Sequence, residues 1–139
     1  MMHDRPLAAA ATSDLAAALA SDVPDAQVLA GAEVARYLVD GVLPSLAVLP
    51  RNVESVTKVM DYARTRGLVV IPWGSGNHID LGNRPSRADI LLDLSELNAL
   101  IEHQPAELVV TVQAGMTLGS LKAVLAEQGQ MLALEPPLA

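Results

Sequence analysis

The residues of this chain best placed to do chemistry lie in one run, Pro72-Trp73-Gly74-Ser75-Gly76-Asn77-His78-Ile79-Asp80-Leu81-Gly82, directly after the apolar stretch Leu68-Val69-Val70-Ile71. Where a buried strand empties into a loop, glycine at alternate positions lets bare backbone N–H groups crowd around an anion such as a phosphate or pyrophosphate. Ser75, Asn77 and His78 add side-chain hydrogen-bonding capacity. The plain alternative is a turn whose glycines only satisfy backbone geometry, and the pattern by itself leaves both readings open.

Two common phosphate motifs are excluded by position. A Walker-type loop requires lysine and then serine or threonine after its last glycine, whereas Gly82 is followed by Asn83-Arg84. A Gly-x-Gly-x-x-Gly dinucleotide turn would need glycine at Ile79 and a helix opening there. Instead Asp80-Leu81-Gly82-Asn83-Arg84-Pro85 is rich in helix breakers. The loop is therefore expected to run between strands rather than from strand to helix.

The elements that must position it follow from periodicity. Residues 1–25 read as a loose or helical Ala/Asp/Ser-rich tail, and Ala26–Val39 as a helix stopped by Gly41. Ser45–Pro50 reads as a short buried strand. A helix follows, capped by Asn52, with Val53, Val56, Val59, Met60 and Ala63 as its apolar stripe, Arg64 and Arg66 in the last turn, and Gly67 as its end. With strand Leu68–Ile71 this makes a β-α-β unit, so the glycine loop leaves the carboxyl end of a strand, where open α/β sheets bind ligands. Asp89–Leu94 reads as a strand, Ser95–Asn98 as a turn, and Ala99–His103 with Glu107–Ala114 as a hairpin around Gln104-Pro105-Ala106. A helix opening at Thr117 places Leu118, Leu121, Val124 and Leu125 inward and ends at Gly129; Gln130–Leu134 reads as a last short strand.

Composition narrows the function. The chain has 139 residues, enough for one ordinary domain, and its hydrophobic fraction of 51% includes no phenylalanine. Trp73, Tyr37 and Tyr62 are too few aromatics for a single-strand nucleic-acid platform, and a net charge of −7 opposes nucleic acid and anionic membranes as partners. Residues 71–139 hold three basic and eight acidic side chains against six and eight before them, so an anion site there must rely on backbone dipoles. Cysteine is absent, which excludes disulfides and thiolate chemistry. No run approaches the roughly 20 apolar residues of a spanning helix, so no direct membrane insertion is expected.

Other candidate residues carry weaker signals. His78 and Asp80 are two ligands without a third, a poor metal site. His103 reads as a surface hairpin residue rather than a catalytic base. Asp89, Asp93, Glu96, Glu102 and Glu107 read as solvated strand faces and turn caps, with Asp93 able to cap the turn at Ser95. Trp73 is expected to pack against a ligand or under the loop, because a lone indole is costly to expose.

Five segments occur together and in order. They are Pro44 with Val48-Leu49-Pro50-Arg51-Asn52-Val53-Glu54-Ser55-Val56; Arg66-Gly67-Leu68-Val69-Val70-Ile71-Pro72-Trp73-Gly74-Ser75-Gly76-Asn77; Leu92-Asp93-Leu94-Ser95-Glu96-Leu97-Asn98; Val112-Gln113-Ala114-Gly115-Met116-Thr117; and Gly129-Gln130-Met131-Leu132-Ala133-Leu134-Glu135-Pro136-Pro137. From about Gly31 to Pro137 the chain resembles the first half of the FAD-binding domain of the vanillyl-alcohol oxidase / p-cresol methylhydroxylase flavoproteins. Within that family it is most similar to the FAD-binding subunit of bacterial glycolate oxidase.

The resemblance implies an α/β (α+β) fold, the N-terminal subdomain of a PCMH-type FAD-binding domain, with a small mixed sheet and flanking helices. It implies that residues 26–139 are the N-terminal half of that domain, truncated at its C-terminal end. It also implies that the cofactor-binding residues are Trp73, Gly74, Ser75, Gly76, Asn77, His78 and Gly82, wrapped around the FAD pyrophosphate, with Pro136 and Pro137 beginning a segment near the flavin. Two departures stand out. Trp73 stands where many members carry arginine, and Asn77 stands where covalently flavinylated members place histidine, so a non-covalent FAD is implied.

The implied activity is oxidation of a small 2-hydroxy acid such as glycolate or lactate by the parent protein, this chain alone being inactive and holding no nameable catalytic residue. Implied partners are other subunits of a flavoprotein dehydrogenase complex or a homo-oligomer. The implied location is the cytoplasm, with membrane association through partner subunits. The alternative is a non-catalytic interaction or regulatory module that keeps the half-fold without flavin, a reading favoured by Trp73 and by the missing second half. A nucleotide-binding protein of different chemistry is opposed by the absent Walker lysine and the absent third glycine. A half-domain should also expose a sheet edge or an apolar face and so dimerise, swap or aggregate.

Overall fold

The computed structural model describes residues 9–79 and 82–134. Helix α1 (Ala9–Asp22) leads into strand β1 (Ala26–Ala30) and a 3-10 helix (Gly31–Arg36). Strand β2 (Leu46–Pro50), helix α2 (Val53–Arg66), strand β3 (Val70–Trp73) and strand β4 (Ile90–Asp93) follow. A hairpin of β5 (Leu100–Gln104) and β6 (Val109–Val112) then precedes helix α3 (Leu118–Ala126).

The four-stranded sheet is mixed, in the order β1-β2-β4-β3. β2 and β3 both run parallel to β4, and β1 closes the far edge antiparallel to β2. β2 and β4 therefore lie at the centre and are buried throughout, as their unbroken apolar sequence requires. Pleating sends alternate residues to opposite faces. On one face Leu46, Val48, Ile90 and Leu92 meet Leu19 from α1, Val23 just after it, and Val59, Tyr62 and Ala63 from α2. On the other, Ala47, Leu49 and Leu91 meet Val34, Tyr37 and Val39, with Ile71, Trp73 and Ile79 packed alongside.

Helix α2 is closed at both ends as its sequence dictates. The Asn52 side chain accepts from Ser55 N at 2.8 Å. Gly67 adopts φ +63, and its N–H returns to the carbonyls of the last turn. The stripe differs from expectation in two places, since Val53 and Met60 are exposed while Tyr62 is buried. The remainder, Val56, Val59 and Ala63, packs on the sheet.

Three sequence expectations are corrected. Ala26–Val39 is not one helix. Its first five residues pair with β2 from Ala26↔Pro50 to Ala30↔Leu46, and Gly31 at φ +63 ends the strand. Ala-Gln-Val-Leu-Ala is too short for periodicity to separate helix from strand, and the bare edge of β2 decides. Gln130–Leu134 forms no strand, because no partner edge meets it; instead Gln130 Nε2 donates to Pro105 O at 2.6 Å. Asp89 and Asp93 are not solvated but 2% and 5% exposed. Asp89 Oδ2 accepts from Val69 N at 2.7 Å and lies 3.0 Å from Arg87 Nε, which gives the buried acid its compensation. Glu96, Glu102 and Glu107 are exposed as expected.

The hairpin stands apart from the larger sheet, and Leu100, Ile101, Leu108 and Val109 are exposed on it. Among the described residues no helix is long and apolar enough to cross a membrane.

Candidate functional site

The site lies beyond the carboxyl ends of β3 and β4. β3 ends at Trp73, whose register partner is Asp93 at the end of β4. Because both residues point to the face that carries Tyr37, three polar or aromatic side chains meet there. The Trp73 and Tyr37 rings stand edge to face, 5.4 Å between centroids at 84°. Tyr37 Oη donates to Asp93 Oδ2 at 2.7 Å and receives Arg36 Nη2 at 2.6 Å. Burial first, and then the bond to Asp93, push the Tyr37 hydroxyl above its ordinary pKa, against a smaller lowering by Arg36. Asp93 Oδ1 accepts from Ser95 N at 2.9 Å, the turn cap that the sequence suggested.

Trp73 serves as the post under the glycine loop. Gly76 adopts φ +79, and a Cβ there would collide with the indole at Cζ2. The indole packs under the loop, one of the two places that the sequence allowed for Trp73. The indole also borders a cleft of about 570 Å³ shared with Gln27, Arg36, Asp93, Ser95 and Glu96.

A second cleft, about 540 Å³, opens on the other side of the loop. One wall is Gly74, Ser75, Asn77 and His78; the other is Ser95 and the run Ala114–Gly119, the entry to α3. The two parts of the second wall are held together by close backbone packing. Gly115 N donates to Leu97 O at 2.8 Å, and Gly115 has no room for a Cβ, which would strike Leu94 O. Thr117 caps α3 by accepting from Ser120 N at 3.1 Å. That leaves the N–H groups of Leu118 and Gly119, in the first turn, without helical acceptors.

Among the described residues, none of the backbone N–H groups from Gly74 to His78 donates a hydrogen bond. Among the described residues, no lysine, arginine, aspartate or glutamate lines this cleft. A Cβ on Gly74 would meet no atom within 4 Å, so the space beside it is open. Free donors on two converging walls, without fixed charge, suit a diphosphate held by backbone dipoles. The donor set fits that group.

The cleft therefore gathers Gly74, Ser75, Asn77 and His78, while Trp73 and Gly76 lie beneath and beside it and Gly82 is not in its lining. Pro136 and Pro137 lie outside the described residues, as does Asp80 of the possible His78–Asp80 metal pair. Among the described residues no group of three potential ligands could hold a metal. His103 sits on the hairpin with Nε2 2.9 Å from Gln130 Oε1, a structural contact. Sequence reasoning did not name Ser95 or the Ala114–Gly119 wall as site residues. The signal available was Thr117 as a helix cap following a glycine.

Known proteins resemble this chain in sequence and fold. The family described as FAD binding domain matches residues 44–138. The glycolate oxidase subunit GlcD of Bacillus subtilis is 26% identical over 83 residues, 59% of this chain and 18% of that protein. D-2-hydroxyglutarate dehydrogenase of Xanthomonas citri is 30% identical over 86 residues, 62% and 18% respectively. The mitochondrial D-lactate dehydrogenase [cytochrome] of Kluyveromyces lactis is 30% identical over 97 residues, 67% and 17%. The chain thus spans under a fifth of the length of these relatives. Among solved structures, p-cresol methylhydroxylase with substrate bound superimposes with a TM-score of 0.71 over 91% of this chain and 27% of its own, at 21% identity, a likeness of fold. Alkyldihydroxyacetonephosphate synthase reaches 0.60 at 28% identity over 68% of this chain and 19% of its own. With that family matched over residues 44–138, the chain belongs to the FAD binding domain family.

Proposed function

We propose that this chain holds FAD non-covalently in the cleft between Gly74–His78 and the start of α3, and that the protein it contributes to oxidises a small 2-hydroxy acid. The observation that carries the reading is the set of backbone N–H groups from Gly74 to His78 that donate to no acceptor among the described residues, on a cleft whose opposite wall is a capped helix start. The diphosphate lies against Gly74 and Ser75, which offer N–H groups without side-chain obstruction at Gly74. Trp73 and Gly76 fix the loop from below, Asn77 and His78 border the diphosphate, and Gly82 with Pro136 and Pro137 extends the binding segment.

Bound FAD supplies the acceptor for the hydride that leaves the hydroxyl-bearing carbon. The relatives named for glycolate, D-lactate and D-2-hydroxyglutarate share a carboxylate beside that carbon, which supports the substrate class. Turnover is proposed to need segments that those longer relatives add. The partners are other subunits of a dehydrogenase complex or further copies of the protein, in the cytoplasm or on a membrane through those subunits.

The test is an FAD titration followed through Trp73, the single tryptophan. Saturable quenching in the parent chain should weaken by about tenfold or more in Gly74→Val with an unchanged melting temperature, because that Cβ enters the cleft and meets no protein atom. Equal affinity in the two proteins would refute this placement of the flavin.

A further inference from the structure

We propose that His78 is a phosphate-binding residue of the cleft, cationic when the diphosphate is bound, so that cofactor binding takes up a proton. This rests on the flavin reading above and adds to it the side chain that answers the ligand's charge.

Three observations lead here. The cleft is lined by Gly74, Ser75, Asn77 and His78 on one wall and by Ser95 and Ala114–Gly119 on the other, so among these residues His78 alone can carry charge. His78 is exposed, and its ring makes no hydrogen bond among the described residues. Trp73, at the end of β3, lies with its indole under Gly76 and offers the loop no cation. A diphosphate diester brings two negative charges into a half-enclosed space, and neutral N–H groups compensate them only in part.

Among the described residues, no carboxylate lines the cleft beside the imidazole. On the turn after β4, the Asp93 carboxylate is buried and bonded to Tyr37 and Ser95 N, and Glu96 borders the other cleft. Helix α3 has no acidic residue in its first turn, and Lys122 does not line the cleft. Asp80, two residues beyond His78, lies outside the described residues.

Imidazole is the side chain whose charge ordinarily changes between pH 5 and 8, and an anion beside it favours the charged form. Binding and protonation are then linked, and each strengthens the other. FAD and ADP-ribose suit the test because neither has a phosphate group that ionises in that range.

Calorimetry of FAD and of ADP-ribose, run in two buffers of different ionisation enthalpy at pH 6, 7 and 8, reads affinity and proton uptake together. The expected result is a Kd that rises about three- to tenfold from pH 6 to pH 8, with fractional proton uptake near pH 7, and the loss of both in His78→Gln, which still binds at pH 8. Saturable binding with no pH dependence and no proton uptake overturns the role of His78 while leaving the flavin site standing. A pH dependence that survives in His78→Gln overturns it equally. If neither compound binds at any pH, the flavin reading itself fails and this inference falls with it.

Discussion

The hydroxyl of Tyr37 donates to Asp93 Oδ2 at 2.7 Å, across 56 residues of chain, and the other oxygen of the same carboxylate accepts Ser95 N. One buried acid thereby joins the segment before β2 to the turn that borders both clefts. The pair offsets the cost of placing Asp93 in the interior and fixes where the second wall of the candidate flavin site begins.

Tyr37→Phe leaves one oxygen of that carboxylate without its buried donor and should cost about 1–3 kcal/mol of stability. Urea denaturation followed by circular dichroism gives the value. A loss below about 0.5 kcal/mol would mean the bond is replaced by water at negligible cost.

The same pair sets a pH dependence at the alkaline end. Burial and Asp93 hold the folded Tyr37 hydroxyl above its ordinary pKa, while the unfolded chain ionises from about pH 10. Above that pH the unfolded state has fewer bound protons than the folded one, so stability is full below about pH 10 and declines as pH rises through the raised value. Melting temperatures between pH 9 and 11 should fall more steeply for the parent chain than for Tyr37→Phe.

Gly115→Ala forces a methyl against Leu94 O and against Leu97 O, which lies 2.9 Å from the position of that Cβ. The Ala114–Gly119 run must move away from the turn at Ser95, which distorts the second wall of the cleft, with a cost of about 1–3 kcal/mol and a weaker hold on FAD. Thermal melts and an FAD titration should therefore move together in this variant. Asn52→Ala offers the contrast: it removes the α2 cap, costs about 1 kcal/mol and leaves FAD affinity unchanged, since α2 does not line the cleft.

Much of this was legible in the chain. Asn52, Gly67 and Thr117 announced helix ends through chemistry that acts within a few residues, and each acts as read. Ser45–Pro50 and Asp89–Leu94 read as strands from their short apolar runs, and the structure puts both at the centre of the sheet, where residues buried on both faces need no alternation. Family membership, likewise, was carried by ordered segments rather than by any one motif. What stayed hidden depends on partners distant in sequence. Ala26–Ala30 becomes a strand only because β2 has an open edge, and Asp93 is buried only because Tyr37 arrives from 56 residues away. Ser95 and Gly115 enter the site through the packing of Gly115 on Leu94 and Leu97, which no local pattern encodes.

The most direct test of the central claim is amide resonance mapping of the chain during an FAD titration. The account predicts saturable shifts concentrated at Gly74–His78, Ser95 and Leu118–Gly119, with little change along α2. Shifts centred instead on the cleft of Gln27, Arg36 and Glu96, or none at saturating FAD, would contradict it.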